Sequence, residues 1–270
     1  MTKTTMYVVT HKQVDIPETR GYIPIVVGKN EVSYSDYVRD DSGDNIAKKN
    51  SNYCELTALY WMWKNDCKTD IIGLSHYRRF FAANIKSAYG EKCLALEKAE
   101  KCLKSCDIVL PYPKTWLDCS VKQWFLETDG KEKDLNALRS VILEFTPDYI
   151  ESYDFVMNGL SASYFNMFIM PKGLMDEYCQ WLFEILFELE KRIDISSYTA
   201  LEARIYGFLS ERLLNVWVHK HKLKTKYLPV FQVGKKRSLK MMLKDVLKYN
   251  VATKKMFSVL KCGAWGNLHK

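Results

Sequence analysis

Asp70-Ile-Ile-Gly-Leu-Ser-His-Tyr-Arg-Arg79 is the stretch whose reading decides the fold. Asp70–Leu74 is a short, continuous apolar run, as expected of a strand buried on both faces of a parallel sheet. Directly after it come His76, Tyr77, Arg78 and Arg79. In an open α/β sheet, ligands sit outside the carboxyl ends of the strands. Two arginines delivered there fit a diphosphate, because a guanidinium fork matches phosphate oxygens in bidentate fashion. The plainer reading is that both arginines pair with surface acids and His76 packs at an edge.

Further along the chain the same alternation recurs. Asp107-Ile-Val-Leu-Pro111 is a second buried strand, stopped by proline. Met6–Thr10, Ile23–Val27, Phe165–Met170 and Leu228–Val233 read as further strands. Between them, apolar residues recur at helical spacing. Leu56, Leu59, Tyr60 and Trp63 follow a cap at Asn50 or Ser51, and Lys92–Ser105, Asp134–Phe145, Leu174–Ile193 and Tyr198–Lys220 read as helices. Strands alternating with helices predict an α/β fold: a mostly parallel sheet flanked by helices, with a more helical C-terminal half.

The 270 residues are 47% hydrophobic and 27% charged, ordinary for a folded globular chain, and carry a net charge of +8. That charge is unevenly spread. Residues 235–270 hold ten basic residues against one acid, Asp245, a net of +9, while the other 234 residues hold 30 against 31, a net of −1. This excludes an evenly basic, nucleic-acid-coating protein. It suggests one domain over 1–234 and a basic amphipathic tail over 235–270. In the tail, Leu239, Met242, Leu243, Val246 and Leu247 recur at helical spacing with lysines opposite, the composition of an interfacial helix on anionic lipid. A helix docked on the body with a solvated lysine face is the alternative. The eight cysteines include no CxxC pair, no run of about 18 apolar residues could span a membrane, and the N-terminal apolar run is too short for a signal peptide. A cytoplasmic protein with reduced thiols is expected.

Three further groups of residues carry possible chemistry. Asn45, in the loop Asp41–Asn45, and Glu55 beyond it offer hydrogen bonds to a nucleoside or sugar, or simply a turn and a helix start. Asn158, Ser161, Ser163 and Asn166 are polar groups in an apolar stretch, suiting a sugar-facing wall or a satisfied buried network. In Glu202–Arg212, Arg204, Gly207 and Glu211 share one helix face. A mid-helix glycine costs up to about 1 kcal/mol relative to alanine, so a ligand or a neighbouring backbone approaches there. Glu202 and Glu211 are candidate general bases, or ion-pair partners of Arg204 and Arg212.

Several of these segments together resemble a known family. They are Asn45-Ile46, Asn50, Tyr53-Cys-Glu-Leu-Thr-Ala-Leu-Tyr-Trp61, Trp63-Lys-Asn65, Ile72-Gly-Leu-Ser-His-Tyr-Arg-Arg-Phe80, Asp107–Pro111, Asn166-Met-Phe-Ile169 and Tyr206-Gly-Phe-Leu-Ser-Glu-Arg-Leu213. The chain resembles bacterial capsular and exopolysaccharide glycosyltransferases, long labelled only a domain of unknown function, from about residue 6 to residue 230.

The resemblance implies a glycosyltransferase-A-like Rossmann fold and a hexosyltransferase acting on a nucleotide-diphosphate sugar such as a UDP-hexose. The implied sugar is galactopyranose or galactofuranose, and the implied acceptor a lipid-linked saccharide. By position Asn45, Glu55, His76, Tyr77, Arg78, Arg79, Asn166, Arg204, Glu211 and Arg212 match the family's motifs. Arg78 and Arg79 would bind the diphosphate and His76 would orient it or stabilise the leaving group. Asn158 and Asn166 would contact the sugar, and Glu211 or Glu202 would serve as base. No Asp-x-Asp metal motif is evident; cationic side chains in place of metal carboxylates leave a metal-independent mechanism open beside one that uses a manganese or magnesium ion. A peripheral position at the inner membrane face follows from the tail. Competing expectations are a nucleic-acid-binding module, against which the near-neutral body argues, and a non-catalytic scaffold of a polysaccharide assembly.

Overall fold

The structure is a computed structural model that describes residues 2–14, 16, 20–28, 37–235 and 237–251. Its strands are β1 (Thr4–Thr10), β2 (Tyr22–Val26), β3 (Val38–Arg39), β4 (Ile71–His76), β5 (Arg79–Phe81), β6 (Ile108–Pro111), β7 (Lys114–Thr115), β8 (Ser161–Ala162), β9 (Phe168–Pro171), β10 (Thr225–Leu228) and β11 (Val230–Gln232). The helices are α1 (Asn50–Tyr53), α2 (Leu56–Asn65), α3 (Ile85–Tyr89), α4 (Leu96–Leu103), α5 (Val121–Thr128), α6 (Glu132–Phe145), α7 (Ile150–Asn158), α8 (Lys172–Glu190), α9 (Ile205–Lys220) and α10 (239–251).

The central sheet runs β10-β6-β9-β4-β1-β2-β3 and is mostly parallel. β9 is inserted antiparallel between β4 and β6, and β5 and β11 form an antiparallel pair at the end of β4. β4 is covered on both faces, which is why its sequence reads as an unbroken apolar run. One core packs α2, α6, α8 and α9 on one face of the sheet, and a second packs α3 and α4 on the other.

β1, β2, β3, β4, β6 and β10 all point the same way, so their carboxyl ends form one edge: Thr10, Val26, Arg39, His76, Pro111 and Leu228. The turn entering the antiparallel β9 lies at that edge too. After β1 the chain runs outward to β2 and β3, then returns to the other side of β1 as β4. This reversal is a topological switch point, where α/β sheets open a crevice.

Several boundaries differ from expectation. The helix expected from Asn50 is two helices, broken at Cys54, whose φ of 53° is strained for a non-glycine residue. Asn50 does not cap the long helix. It bridges the break by donating to Cys54 O (2.8 Å) and Thr57 Oγ1 (3.0 Å). The strand expected from Phe165 begins at Phe168, because Phe165 (φ 76°) and Asn166 (φ 51°) form a left-handed turn. The expected last strand is two, divided at Pro229, which has no N–H to continue a ladder. The long C-terminal helix of the body starts at Ile205 rather than Tyr198. Of the residues read as a polar wall, Asn158 ends α7 and Ser161 starts β8, while Asn166 lies in the left-handed turn.

Candidate functional site

The crevice is built around the Phe165-Asn166 turn. Phe165 N donates to Glu211 Oε1 at 2.7 Å, and His76 Nε2 meets Phe165 O at 2.6 Å. A carbonyl oxygen only accepts, so Nε2 carries the proton. One strained residue thus ties the end of β4 to a carboxylate on α9 through its two peptide groups. Arg79 lies over the Phe165 ring, 4.4 Å from its centroid. Asn166 is buried; it donates to Glu55 Oε1 (2.8 Å) and Gly207 O (3.3 Å), and it accepts from Ser210 (3.0 Å). Strain of this kind, about 1–3 kcal/mol per residue, persists where surrounding bonds over-determine it.

Gly207 answers the question its position raises. A Cβ there would meet Cys54 Cβ and Sγ at 3.3 Å, so what approaches the helix is the α1–α2 break. Arg204 donates to Cys54 Sγ at 3.1 Å and lies in the field of Glu55 and Glu211.

The carboxyl of Glu211 is 15% exposed. Burial pushes its pKa up to about 7, helped by Glu55 and Asp129 and opposed by Arg212 and the Phe165 N–H. A carboxyl poised near neutrality suits proton transfer.

The other candidate base differs. Glu202 accepts from Thr199 N (2.9 Å), Thr199 Oγ1 (3.0 Å) and Lys131 (3.0 Å), and these bonds hold it at about 2. It is a tied loop brace, not a base poised for neutral pH. Arg212 is also corrected. Its side chain is 0% exposed, paired with Asp129 and, at 3.1 Å, with Glu211, and it sits against the Phe125 and Tyr164 rings. Its guanidinium is committed to Asp129 and Glu211 rather than presented at the surface. Asn158 is exposed at the end of α7 and donates back to Asp154 O (2.8 Å), away from this cluster.

At the switch point, Tyr77 N donates to Val9 O (3.0 Å), and the Tyr77 ring packs edge-on to His11. Arg78 is exposed, its guanidinium 4.9 Å from the Tyr77 centroid. Neither Arg78 nor Arg79 makes an ion pair with a described residue. Asn45 braces its own loop through Gly43 O and Ala47 N. That loop follows β3 and is pinned to α2 by Trp61, Tyr60 and Asn65.

The sequence reading missed three residues here. Asp40 is 0% exposed, accepts from Gly28 N (3.0 Å), and has its pKa pushed up to about 6 by burial. Asp129 is the hidden partner of Arg212. Phe165 acts through backbone atoms, which leave no side-chain signature. Among the described residues, no group of three or more His, Cys, Asp or Glu side chains is placed to hold a metal ion. Nor is any helix among them long and apolar enough to cross a membrane.

The family model described as "domain of unknown function (DUF4422)" matches residues 5–222. The chain belongs to this family. Among solved structures, the DUF4422 chain is similar to a WbbM bifunctional glycosyltransferase in its apo form, with a TM-score of 0.75 and 29% identity. That likeness covers 86% of the DUF4422 chain and 46% of the other, so it spans less than half of that enzyme. The fold likeness bears out the expected mostly parallel sheet flanked by helices. No curated protein matches the sequence.

Proposed function

We propose that the chain is a glycosyltransferase that moves a hexose, galactopyranose or galactofuranose, from a nucleotide-diphosphate donor such as a UDP-hexose to a lipid-linked saccharide in capsular or exopolysaccharide synthesis. The observation that carries this reading is Glu211: a carboxyl with pKa about 7, fixed by Arg212 and the Phe165 N–H, beside strand ends that present His76, Arg78 and Arg79. The likeness to a glycosyltransferase structure supports it.

The donor diphosphate would meet Arg78 and Arg79 at the switch point, with Asn45, Glu55, Tyr77, Asn166 and Arg204 around the nucleoside and sugar. In an inverting transfer, Glu211 takes the acceptor hydroxyl proton as that oxygen bonds to the anomeric carbon. The carbon–oxygen bond to the diphosphate breaks, and the diphosphate leaves with the electron pair. Cationic side chains supply the charge that stabilises it. Full activity in excess chelator supports that electrostatic role, and complete loss rescued by manganese overturns it.

Residues 1–234 would bear this chemistry, and the basic tail 235–270 would hold it at the inner membrane face. Residues 252–270 lie outside the described residues. Each basic residue near an anionic surface contributes about 1 kcal/mol. Cosedimentation with anionic vesicles that persists after deletion of 235–270 overturns the membrane reading. For the transferase reading, the test is a thermal-shift screen of nucleotide diphosphates and nucleotide sugars, repeated on Arg78→Ala and His76→Ala. A UDP-type shift lost in both variants is expected. No shift with any nucleotide sinks the reading.

A further inference from the structure

A cavity of about 490 Å³ lies at the other end of the same edge, between the carboxyl ends of β6 and β10 and the inner side of α10. Its size falls in the range of small-molecule sites. Phe165, whose N–H holds Glu211, forms part of its wall, so the cavity opens one residue from the candidate base.

The walls have two characters. Trp116, Met242 and Val246 make apolar surface, and Lys114, Arg237 and Lys248 add three cations against one acid, Asp245. Lys114 makes no ion pair with a described residue; its ammonium lies 3.7 Å from the centroid of Trp124, beside Trp116. Arg237 is paired with Asp245 across the cavity rim. A ligand that suits this lining carries negative charge and an apolar face.

α10 closes the cavity and faces solvent as well. Met242 is buried against the body, and Tyr249 packs edge-on to Tyr227. On its outer side Leu239, Leu243, Leu247 and Val251 recur every four residues and are 42%, 51%, 63% and 55% exposed. Lys240 and Lys244 are exposed beside them. The helix thus joins an anion-accepting cavity to an apolar stripe, and a molecule with the same two parts is an amphiphile with a phosphate head.

We propose that this cavity is the acceptor subsite and takes the phosphate-bearing end of a lipid-linked saccharide, with Lys114, Arg237 and Lys248 meeting the phosphate, Trp116 stacking on the adjoining sugar, and the apolar chain leaving along Leu239–Leu247. Arg237 exchanges Asp245 for the phosphate as the ligand enters. This assignment rests on the transferase reading for its role as acceptor site, but not for the binding chemistry.

The test is calorimetric titration of the full chain with farnesyl diphosphate, a minimal phosphate-headed amphiphile, against pyrophosphate, farnesol and phosphatidylglycerol vesicles. Farnesyl diphosphate should bind at least tenfold more tightly than pyrophosphate or farnesol. Lys114→Gln, at an exposed position, should weaken it about tenfold with the melting temperature retained. Val246→Phe, which fills the cavity, should abolish it. Leu243→Ser/Leu247→Ser should lower farnesyl diphosphate affinity towards that of pyrophosphate. UDP binding, measured in parallel, should be unchanged in all three variants.

Farnesyl diphosphate affinity unaffected by Lys114→Gln and by Val246→Phe overturns the proposal. So does affinity no better than that of pyrophosphate. Vesicle binding that competes fully with farnesyl diphosphate assigns the cavity to bulk lipid headgroups and overturns it as well. Loss of UDP binding in the unaltered chain would instead count against the transferase reading, leaving the cavity result to stand or fall separately.

Discussion

The two ends of the sheet edge are made differently. At the β1–β4 end, the residues that matter are side chains next to one another in sequence, His76 to Arg79, at the tip of a strand. At the β6–β10 end, the cavity is assembled from Lys114 and Trp116 and, more than a hundred residues later in the chain, from Pro229, Val230 and α10. The first end is a motif and can be read as one. The second is a surface, with no local pattern to announce it. Between them stands Phe165, whose peptide groups reach His76 on one side and Glu211 on the other.

If this division is right, the largest effect belongs to the centre. Glu211→Gln should lower turnover about 10²–10⁴-fold, the range for losing a general base, with the melting transition retained. In the unaltered chain, kcat/KM for the proposed transfer should rise with pH through about 7 if the ionised Glu211 carboxylate is the base. A flat pH profile would remove Glu211 from the reaction.

Next comes the motif end. Arg78→Ala or Arg79→Ala should weaken UDP binding about 10–100-fold, since a hydrogen bond to a charged group contributes about 1.5–3 kcal/mol. Calorimetry with UDP checks this, and equal loss of farnesyl diphosphate binding would erase the distinction between the two ends.

Asp40 gives a stability effect instead. Its carboxyl is pushed up to about 6 from an unfolded value near 3.8. Between those values the native state binds a proton that the unfolded chain has released. The resulting stability is fully present below about 4 and is lost as pH rises through 6. Asp40→Asn should therefore gain on the unaltered protein between pH 4 and pH 8, by up to about 3 kcal/mol, in urea unfolding at each pH. A constant difference would show that the carboxyl titrates normally.

Smallest is Glu202→Gln. Held low by Thr199 and Lys131, Glu202 should be dispensable to chemistry, and turnover should stay within about twofold, the span of an ordinary surface substitution. A loss comparable to that of Glu211→Gln would reverse the two assignments.

The legibility of the sequence follows the same physics. β1, β4 and β6 are readable because burial on both faces demands unbroken apolar runs. Glu211 and His76 are readable because they project from regular elements. Arg212 and Glu202 mislead because a charge on a helix or loop looks the same in sequence whether it faces a crevice or is consumed by Asp129 or Lys131. Phe165 and the antiparallel direction of β9 are invisible because one acts through peptide groups and the other is fixed by what lies on either side of it.

The long reach of the bonds around Asn166 has a consequence for synthesis. Glu55 and Asn166 are 111 residues apart, and Arg204 and Cys54 are 150 apart. On a ribosome, the His76–Arg79 turn emerges early. Glu211 emerges more than 130 residues later. At about 5–20 residues per second, the His76–Arg79 segment waits several seconds or more for Glu211. If Glu211 is the base, α9 completes a site whose arginines were made long before it, and a truncated chain ending before residue 205 would keep Arg78 and Arg79 but lack Glu211.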